Sequence, residues 1–427
     1  MEKLMQYVWQ HRLWPRTLLR TVDGRPVQII DPGRLNTDAG PDFFNAKIAI
    51  AGHTWAGDVE IHVRASDWHR HGHDGDPAYD SVILHVVDRD DAPIVRSNGE
   101  TIPQMQMACS PDFYQRYSQL VDRADRDLPC SEAIASMSTL HMTSWLDALA
   151  FERLYEKTDT IEARLTRLGR DWDATAYVTL ARCLGFGVNG DPFERLATAT
   201  PLQFLAKHCD SLFTIEALLL GQSGLLENVA VPDSYCLRLK KEYDFMAHKF
   251  GLRRPESPGW KMSRMRPANF PHRRIAMLAA LLNRNTRLMS MILDITSIEQ
   301  ATEIFALPFT GYWADHFTFG APSAGAGCTL SRSSVVGLII NAVVPLQYAW
   351  GTMRDDRAMT DRAIDLLQSL PAERNTIVQM FQQAGIPARS AFATQALIQL
   401  RRAYCEPHKC LYCRIGHRTL SARCPRT

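Results

Sequence analysis

The sequence lacks an excess of charge of either sign. Its 427 residues include 48 Lys and Arg against 46 Asp and Glu, which gives a formal net charge of +2. Because the molecule as a whole carries no strong field, binding to a polyanion such as nucleic acid would depend on local basic clusters. A content of 46% hydrophobic and 22% charged residues excludes the disordered, collagen-like and coiled-coil classes and indicates a globular protein.

A secretory leader and long apolar runs are also missing. The opening residues, MEKLMQYVWQHRLW, show no basic segment followed by an uninterrupted apolar one, so they do not predict a signal peptide. The longest apolar stretch, Val335 to Val344, is interrupted by Asn341, ends at Pro345 and is too short for a membrane span of roughly 20 residues, so it predicts a core helix. Ten cysteines in so long a chain do not indicate a disulfide framework, and we expect reduced thiols and a cytoplasmic location.

The pattern of the chain predicts an α+β protein in three parts. Residues 1–110 predict an α/β domain in the order α, β, β, β, short α, β, with strands at Arg25–Ile30, Phe43–Ile50, Thr54–Val63 and Ser81–Val87. Residues 111–400 place Leu, Ala, Glu and Arg at three-and-four spacing between prolines, which predicts a large all-α domain. Residues 401–427 are basic and cysteine-rich and predict a small metal-binding knuckle.

Two carboxylates and a histidine share the predicted hairpin of the first domain. Asp42 precedes one strand, and Glu60 and His62 lie in the next, where alternation places them on one face. Two carboxylates beside a coordinating group can hold a divalent cation and activate a water molecule. We therefore expect Asp42 and Glu60 to bind Mg²⁺ or Mn²⁺ for a metal-assisted hydrolysis.

Three further histidines follow this strand. His71 and His73 lie on a predicted turn, and His85 lies in the next strand. They are candidate ligands of a metal or a phosphate. The alternative is that His85 is a hydrogen-bonded core histidine and that the other two are only solvent-exposed. A third possibility is a hydrolase of another class, with a His-rich transition-metal site formed by His62, His71, His73 and His85 together with the carboxylates.

The spacing Pro41-Asp42, a 17-residue gap and Glu60-x-His62, within the α-β-β-β-α-β order, resembles the PD-(D/E)XK nuclease superfamily. The resemblance implies a nuclease or nuclease-like phosphodiesterase in which Asp42 and Glu60 bind Mg²⁺ and His62 occupies the position of the water-orienting lysine. A neutral histidine does not replace a lysine charge. The alternative is therefore a lapsed nuclease fold that binds or scaffolds nucleic acid. Lys47 is a candidate displaced lysine, although its strand parity directs it away from Asp42 unless a bulge intervenes.

A second resemblance covers nearly the whole chain. The segments that carry it, in order, are Gly33-x-Leu35-Asn36, GPDFFNAKI, GDVEIH, SDWHRHGH, AYDSVILHVV, WKMSRMRPANFP and Cys405-x4-Cys410-x2-Cys413-x2-Gly416. Together they resemble a bacterial domain-of-unknown-function family of about this length. That family implies one architecture and no established activity, so the expected function depends on the nuclease-like motif.

A basic stretch in the helical domain is a candidate nucleic-acid interface. The segment WKMSRMRPANFPHRR contains no acidic residue and carries Lys261, Arg264, Arg266, Arg273 and Arg274. Interleaved aromatic rings suit phosphate contacts combined with base stacking. The alternative is that these arginines pair with acidic helices of the same domain. Nucleic acid is the expected partner, and the sequence does not distinguish DNA from RNA.

The C-terminal cysteines have metal-site spacing. Cys405-x4-Cys410-x2-Cys413 provides three thiolates, and a tetrahedral Zn²⁺ needs a fourth ligand. We expect Cys424 to be that ligand, with His417 and His408 as alternatives. An iron–sulfur cluster is the alternative to zinc, because four thiolates serve either metal and some PD-(D/E)XK nucleases carry such a cluster.

Overall fold

The structure, a computed structural model, describes the chain except for residues 15–18, 37, 108–110, 123–127, 228, 256–258, 321, 325, 327–328 and 422–427. Its contacts divide the chain into two compact units. The first contains residues 1–145, 380–386 and 400–427, and the second contains residues 146–379 and 387–399. This division differs from the predicted parts, because residues 111–145 and the cysteine-rich segment both belong to the first unit.

A six-stranded mixed sheet forms the centre of the first unit. Its strands are β1 (Val27–Asp31), β2 (Arg34–Leu35), β3 (Phe43–Ile50), β4 (His53–Arg64), β5 (Val82–Arg89) and β6 (Gln104–Gln106). Neighbouring strands follow the order β1-β3-β4-β5-β6, and β2 pairs with β3. Strand β3 is antiparallel to β1 and β4, whereas β4, β5 and β6 are parallel. Helix α1 (Glu2–Gln10) precedes the sheet and the short α2 (Asp67–Arg70) follows β4. The predicted order is confirmed, and β2 and β6 are short strands that it did not include.

The predicted hairpin between β3 and β4 is also confirmed. Ile50 pairs with His53, so the loop consists of only Ala51 and Gly52. Both loop residues have positive φ angles, 50° and 83°, as a type I′ turn requires. This tight turn sets the register that brings the start of β3 beside the second half of β4.

Helix α1 covers one face of the sheet. Its buried side chains Leu4, Met5 and Trp9 join Phe43 and Ile61 in one apolar core. Burying a large apolar side chain stabilises the folded state by about 1.5–3 kcal/mol. Because side chains alternate along β4, the neighbours of Ile61 point to the opposite face of the sheet, where the candidate site lies.

A β-bulge in β3 changes the face on which its side chains lie. The register with β4 shifts between Phe43 and Ala46, and Asn45 has a positive φ of 56°. One extra residue in a strand reverses the parity of the residues that follow it. Lys47 therefore lies on the same face as Asp42, as expected for the case in which a bulge intervenes.

The rest of the first unit is helical. Helices α3 (Pro111–Asp122) and α4 (Ser131–Ser136) follow the sheet, and α5 (Thr139–Arg167) begins in this unit and continues into the second. Near the C-terminus a 3₁₀ turn, Cys410–Tyr412, precedes a helix at Arg414–Ser421 that packs on α3 and α4. Leu411 and Leu420 contribute to the same apolar core as α1.

The second unit is all-helical in the residues that the structure describes, as predicted. Its helices after α5 are α6 (Trp172–Leu184), α7 (Gly190–Ala199), α8 (Leu202–Ala206), α9 (Leu212–Gln222), α10 (Ser234–Phe250), α11 (Pro271–Arg284), α12 (Leu288–Leu293), α13 (Ile298–Phe305), α14 (Arg332–Leu338), α15 (Val344–Met353), α16 (Arg357–Ser369) and α18 (Ala391–Gln399). Helix α17 (Thr376–Gln383) begins in the second unit and ends in the first. The C-terminal Arg414–Ser421 helix of the first unit is α19.

The apolar stretch around Val335 is part of a longer helix than predicted. A π-helical turn at Ile339–Val343 joins α14 to α15, so the helix continues through Pro345 to Met353. The wider turn accommodates the proline, which cannot donate a backbone hydrogen bond. By length and composition Arg332–Met353 could cross a bilayer, but 78% of its apolar window is buried, as in a core helix.

Candidate metal centre

The two predicted carboxylates lie side by side at the start of β3 and within β4. The backbone N–H of Asp42 donates to Glu60 Oε2 at 2.9 Å. Asp42 accepts hydrogen bonds at both oxygens, from Gln6 Nε2 at 2.9 Å and from the Ile61 N–H at 3.0 Å. These contacts leave Glu60 Oε1 directed toward the histidines that follow in the chain.

Two histidines lie beside this oxygen, and a third lies beside one of them. Glu60 Oε1 lies 3.4 Å from His62 Nε2 and 3.4 Å from His73 Nε2. His62 Nε2 also lies 3.1 Å from His71 Nδ1. Among the residues that the structure describes, His62, His71 and His73 are the one set of three His, Cys, Asp or Glu residues whose ligand atoms all lie within 4.8 Å of one another.

A hydrogen-bonded chain sets the tautomer of His62. The Gln104 amide donates to Asp90 Oδ1 and to the Ala92 carbonyl, so its oxygen faces His85 Nδ1 at 3.1 Å. His85 therefore donates from Nδ1, and its Nε2 accepts from His62 Nδ1 at 2.9 Å. The proton of a neutral His62 is thus on Nδ1, and its Nε2 lone pair points into the cluster. Such outer hydrogen bonds orient metal-binding histidines in proteins.

Burial controls the protonation of the centre. It lowers the pKa of His62 to about 2, with neighbouring histidine charges as further causes, and lowers the pKa of His85 to about 4. Burial also raises the pKa of Asp42, to which the negative charge of Glu60 adds, and it raises the pKa of Glu60. The lowered pKa values keep His62 and His85 neutral, whereas the raised pKa values of the two carboxyl groups favour their protonated forms.

Three of the distances within the cluster fit neighbouring ligands of one ion. With metal–ligand bonds of about 2.1 Å, neighbouring ligand atoms lie about 3.0 Å apart in octahedral and about 3.4 Å apart in tetrahedral geometry. The two 3.4 Å distances and the 3.1 Å distance in the cluster match this range. Imidazole nitrogens with one carboxylate suit zinc, iron or manganese better than Mg²⁺, which prefers oxygen ligands.

The loop after α2 brings the second and third histidines together. His71 ends α2, and Gly72 follows in the left-handed region with φ of 76° before the 3₁₀ turn that starts at His73. His73 is stacked on Tyr79, with ring centroids 3.7 Å apart. Trp68 packs edge-on against His73 and is fully buried. These contacts hold the ligand side chains in place.

The centre is buried on one side and open on the other. Glu60 is 5% exposed and His62 is 1% exposed, whereas His71 is exposed. Solvent or a substrate can therefore reach the cluster from the side of His71.

Lys47 is not part of this cluster, although it shares the sheet face. It pairs with Ala56, which precedes Glu60 by four residues on β4. At about 3.3 Å per residue this places it about 13 Å away along the strand. No displaced lysine therefore replaces the nuclease lysine at this position.

Two of the five predicted nucleic-acid contacts are wrong. Arg273 is 1% exposed and donates to the carbonyl of Trp313, with its guanidinium 3.4 Å from the centroid of Phe309. Arg274 is also buried and lies over the ring of Phe186 at 4.5 Å. Both side chains pack the interior of the second unit and cannot reach a phosphate. The other three, Lys261, Arg264 and Arg266, are exposed.

The predicted C-terminal ligands are placed only in part. Cys405, Cys410 and Cys413 lie in the first unit, whereas Cys424 lies outside the described residues. His417 Nδ1 lies 2.5 Å from the hydroxyl of Tyr7, so this alternative ligand has another partner.

The sequence alone did not identify Gln6 or Gln104. Both act through pairings that join distant parts of the chain, and an isolated glutamine carries no pattern that marks such a role.

A mixed sheet with a buried cluster of histidines and carboxylates defines the first unit as an α/β domain with a candidate metal centre. The chain belongs to the family described as "Protein of unknown function (DUF2851)", whose family model matches residues 2–376. The match includes the whole candidate centre and ends before Cys405. No curated protein and no solved structure matches the chain.

Proposed function

We propose that this protein is a metal-dependent hydrolase whose ion is bound by His62, His71, His73 and Glu60. The observation that carries the proposal is the cluster of three imidazole nitrogens, all within 4.8 Å of one another, with Glu60 Oε1 3.4 Å from two of these histidines, His62 and His73. The ion would be Zn²⁺, Mn²⁺ or Fe²⁺, with Mg²⁺ a poorer match. Its chemistry would be to lower the pKa of a water molecule and to stabilise negative charge on the reacting group.

The chain's own residues have distinct roles in this proposal. Glu60 and the histidines hold the ion, and His85 with Gln104 keeps the His62 lone pair directed inward. Asp42 lies next to Glu60 and accepts from Gln6, which places a second carboxylate beside the reacting centre. With its raised pKa, this carboxyl group is suited to accept or return a proton near neutral pH.

We further propose a phosphodiester in nucleic acid as the substrate. The α-β-β-β-α-β order, with Asp42 and Glu60 on adjacent strands, supports this substrate through the resemblance to PD-(D/E)XK nucleases. A groove of about 800 Å³ in the same unit supports it independently. Its lining residues include His11, Arg414 and Arg418 and no Asp or Glu.

Helix α1 connects this groove with the metal centre. Gln6 contacts Asp42, and one turn later Gln10 and His11 line the groove. One turn of helix advances about 5.4 Å, so α1 carries both a residue that contacts the centre and residues that line the groove. Lys261, Arg264 and Arg266 of the second unit remain a proposed further contact surface.

Cleavage of labelled single- and double-stranded DNA and RNA by the full chain tests the function. Each substrate is incubated with Mn²⁺, Zn²⁺, Fe²⁺ or Mg²⁺, and Glu60→Gln is compared with the exposed control Glu132→Gln. We expect metal-dependent cleavage that Glu60→Gln reduces at least 100-fold and the control leaves unchanged. Salt-dependent binding without cleavage in any metal would contradict the hydrolase and favour a nucleic-acid-binding protein on a lapsed nuclease fold.

A further inference from the structure

Four cysteines from two distant parts of the chain surround one small cavity in the first unit. Cys130, at the start of α4, lines it together with Cys405, Cys410 and Cys413. The cavity has a volume of about 30 Å³, and its other lining residues are Leu120, Leu128, Pro129, Tyr404 and Gly416. None of the four cysteines forms a disulfide bond. Four free thiols around an apolar space of this size form a possible binding site for a thiophilic metal.

The backbone around Cys413 is arranged as in a metal-binding cysteine turn. The N–H groups of Ile415 and Gly416 are directed at the Cys413 sulfur, which stabilises a thiolate there. A Cβ atom on Gly416 would lie 2.1 Å from the Cys410 carbonyl oxygen, so only glycine permits this close approach. The Cys-x2-Cys-x2-Gly pattern is therefore explained by the geometry of the turn.

The four cysteine side chains lie close enough for the charge of one to raise the pKa of another. Burial raises the pKa of Cys405, and the charges of Cys413, Cys130 and Cys410 raise it further. Burial also raises the pKa of Cys130 to about 12, again with Cys413 and Cys410 as further causes. Without a cation the thiols stay protonated, and each releases its proton to solvent when its sulfur binds an ion.

We propose that Cys130, Cys405, Cys410 and Cys413 form a four-thiolate metal site, with Cys130 as the fourth ligand in place of Cys424. Such a site would fix the C-terminal segment to the start of α4, in addition to the packing of Leu411 and Leu420 in the apolar core. This proposal is independent of the hydrolase centre, because it uses none of the same residues.

Four cysteine thiolates can bind either a single Zn²⁺ or an iron–sulfur cluster. A single Zn²⁺ with bonds of about 2.3 Å requires sulfur–sulfur distances of about 3.8 Å. Among the described residues, no three of these sulfurs lie within 4.8 Å of one another, since only the histidine cluster meets that limit. Zinc would draw the sulfurs together, whereas an iron–sulfur cluster would bridge a wider spacing.

The test is the metal content of the full chain in a His71→Ala background, which removes the contribution of the other centre. Zinc, iron and acid-labile sulfide are measured after anaerobic purification, and Cys130→Ser is compared with Cys424→Ser and Cys183→Ser. We expect one zinc, or iron with equivalent sulfide, per chain, lost in Cys130→Ser and retained in the other two. Retention in Cys130→Ser, loss in Cys424→Ser, or no metal in any form would overturn the proposal.

Alkylation of the unmutated chain keeps the proposal testable if Cys130→Ser does not fold. Iodoacetamide labelling is followed by mass spectrometry before and after metal removal. We expect Cys130, Cys405, Cys410 and Cys413 to become reactive together, at least tenfold faster after metal removal, while the exposed Cys209 reacts equally in both states. Labelling of Cys130 that does not depend on metal would refute its role as a ligand.

Discussion

At the scale of single residues, the candidate metal centre depends on the hydrogen bonds that join Gln104, His85 and His62. The Gln104 amide determines the tautomer of His85, and His85 determines that of His62. The carboxylates in front of His62 were identified from strand alternation, because parity is a local property of the sequence. Gln104 was not, because the pairing of β6 with β5 is visible only in the folded chain.

Gln104→Leu removes the acceptor that orients His85. We expect metal affinity to fall about 10–100-fold. His85 is then free to carry its proton on Nε2, and His62 would in turn carry its proton on the Nε2 atom that faces the ion. The measurement is a competition titration against a chromophoric chelator. Gln106→Leu on the same strand is the control, since its side chain donates only to the Asp88 carbonyl. Equal metal affinities of the two variants would show that the hydrogen bond from His85 to Gln104 does not affect metal binding.

Asp42→Asn tests the buried carboxylate pair in metal-free protein. A carboxyl group whose folded-state pKa is raised binds more protons folded than unfolded, so its contribution to stability is lost as pH rises above about 4. The quantity to compare is the free energy of unfolding of Asp42→Asn minus that of the original chain. We expect this difference to increase by about 1–3 kcal/mol between pH 5 and pH 8. Urea denaturation with chelator measures it, and a constant or decreasing difference contradicts the raised pKa.

At the scale of secondary-structure elements, the sequence located the four longer strands and missed the two short strands and the local irregularities. The bulge at Asn45 and the π-turn before Pro345 each insert one residue into a regular element. No hydrophobic period marks such an insertion, because it is set by packing with neighbouring elements. This is why the sequence left the face of Lys47 dependent on a bulge and placed the end of the apolar helix at Pro345 instead of Met353.

Gly72→Ala tests the loop that joins two of the ligands. Gly72 has a positive φ of 76°, and a Cβ atom there would meet no other atom within 4 Å, so any effect comes from the backbone. We expect a loss of stability of about 1 kcal/mol and weaker metal binding, because the left-handed conformation is costly for alanine. Thermal denaturation and the chelator titration measure both effects.

Gly75→Ala is the matched control in the same loop. A Cβ atom at Gly75 also meets nothing within 4 Å, and its φ is not positive. If both alanine variants bind the metal equally well, the left-handed turn does not hold the ligands in place.

At the scale of the whole molecule, an almost neutral chain concentrates positive charge at particular sites. The groove near α1 is lined by cations, whereas two arginines of the predicted basic stretch are buried in the second unit. Composition alone could not separate these cases, because an arginine over a buried ring and an arginine on the surface count equally toward net charge.

Arg418→Ala tests the groove as a polyanion site. We expect weaker nucleic-acid binding and a salt-dependence slope reduced by about 0.9, as for the loss of one phosphate contact. Arg402→Ala makes the same charge change at an exposed site of the C-terminal segment that does not line the groove. Fluorescence anisotropy across a salt series measures both, and equal slopes for the two variants would exclude the groove.

The most direct test of the central claim is the metal content of the purified full chain after dialysis against a weak chelator. Zinc, manganese and iron are measured by mass spectrometry in the original chain, in His71→Ala and in His69→Ala, which changes an exposed histidine outside the ligand set. The account predicts that His71→Ala loses one equivalent of metal and that His69→Ala retains it. The same metal content in all three proteins would contradict a metal centre at His62, His71, His73 and Glu60.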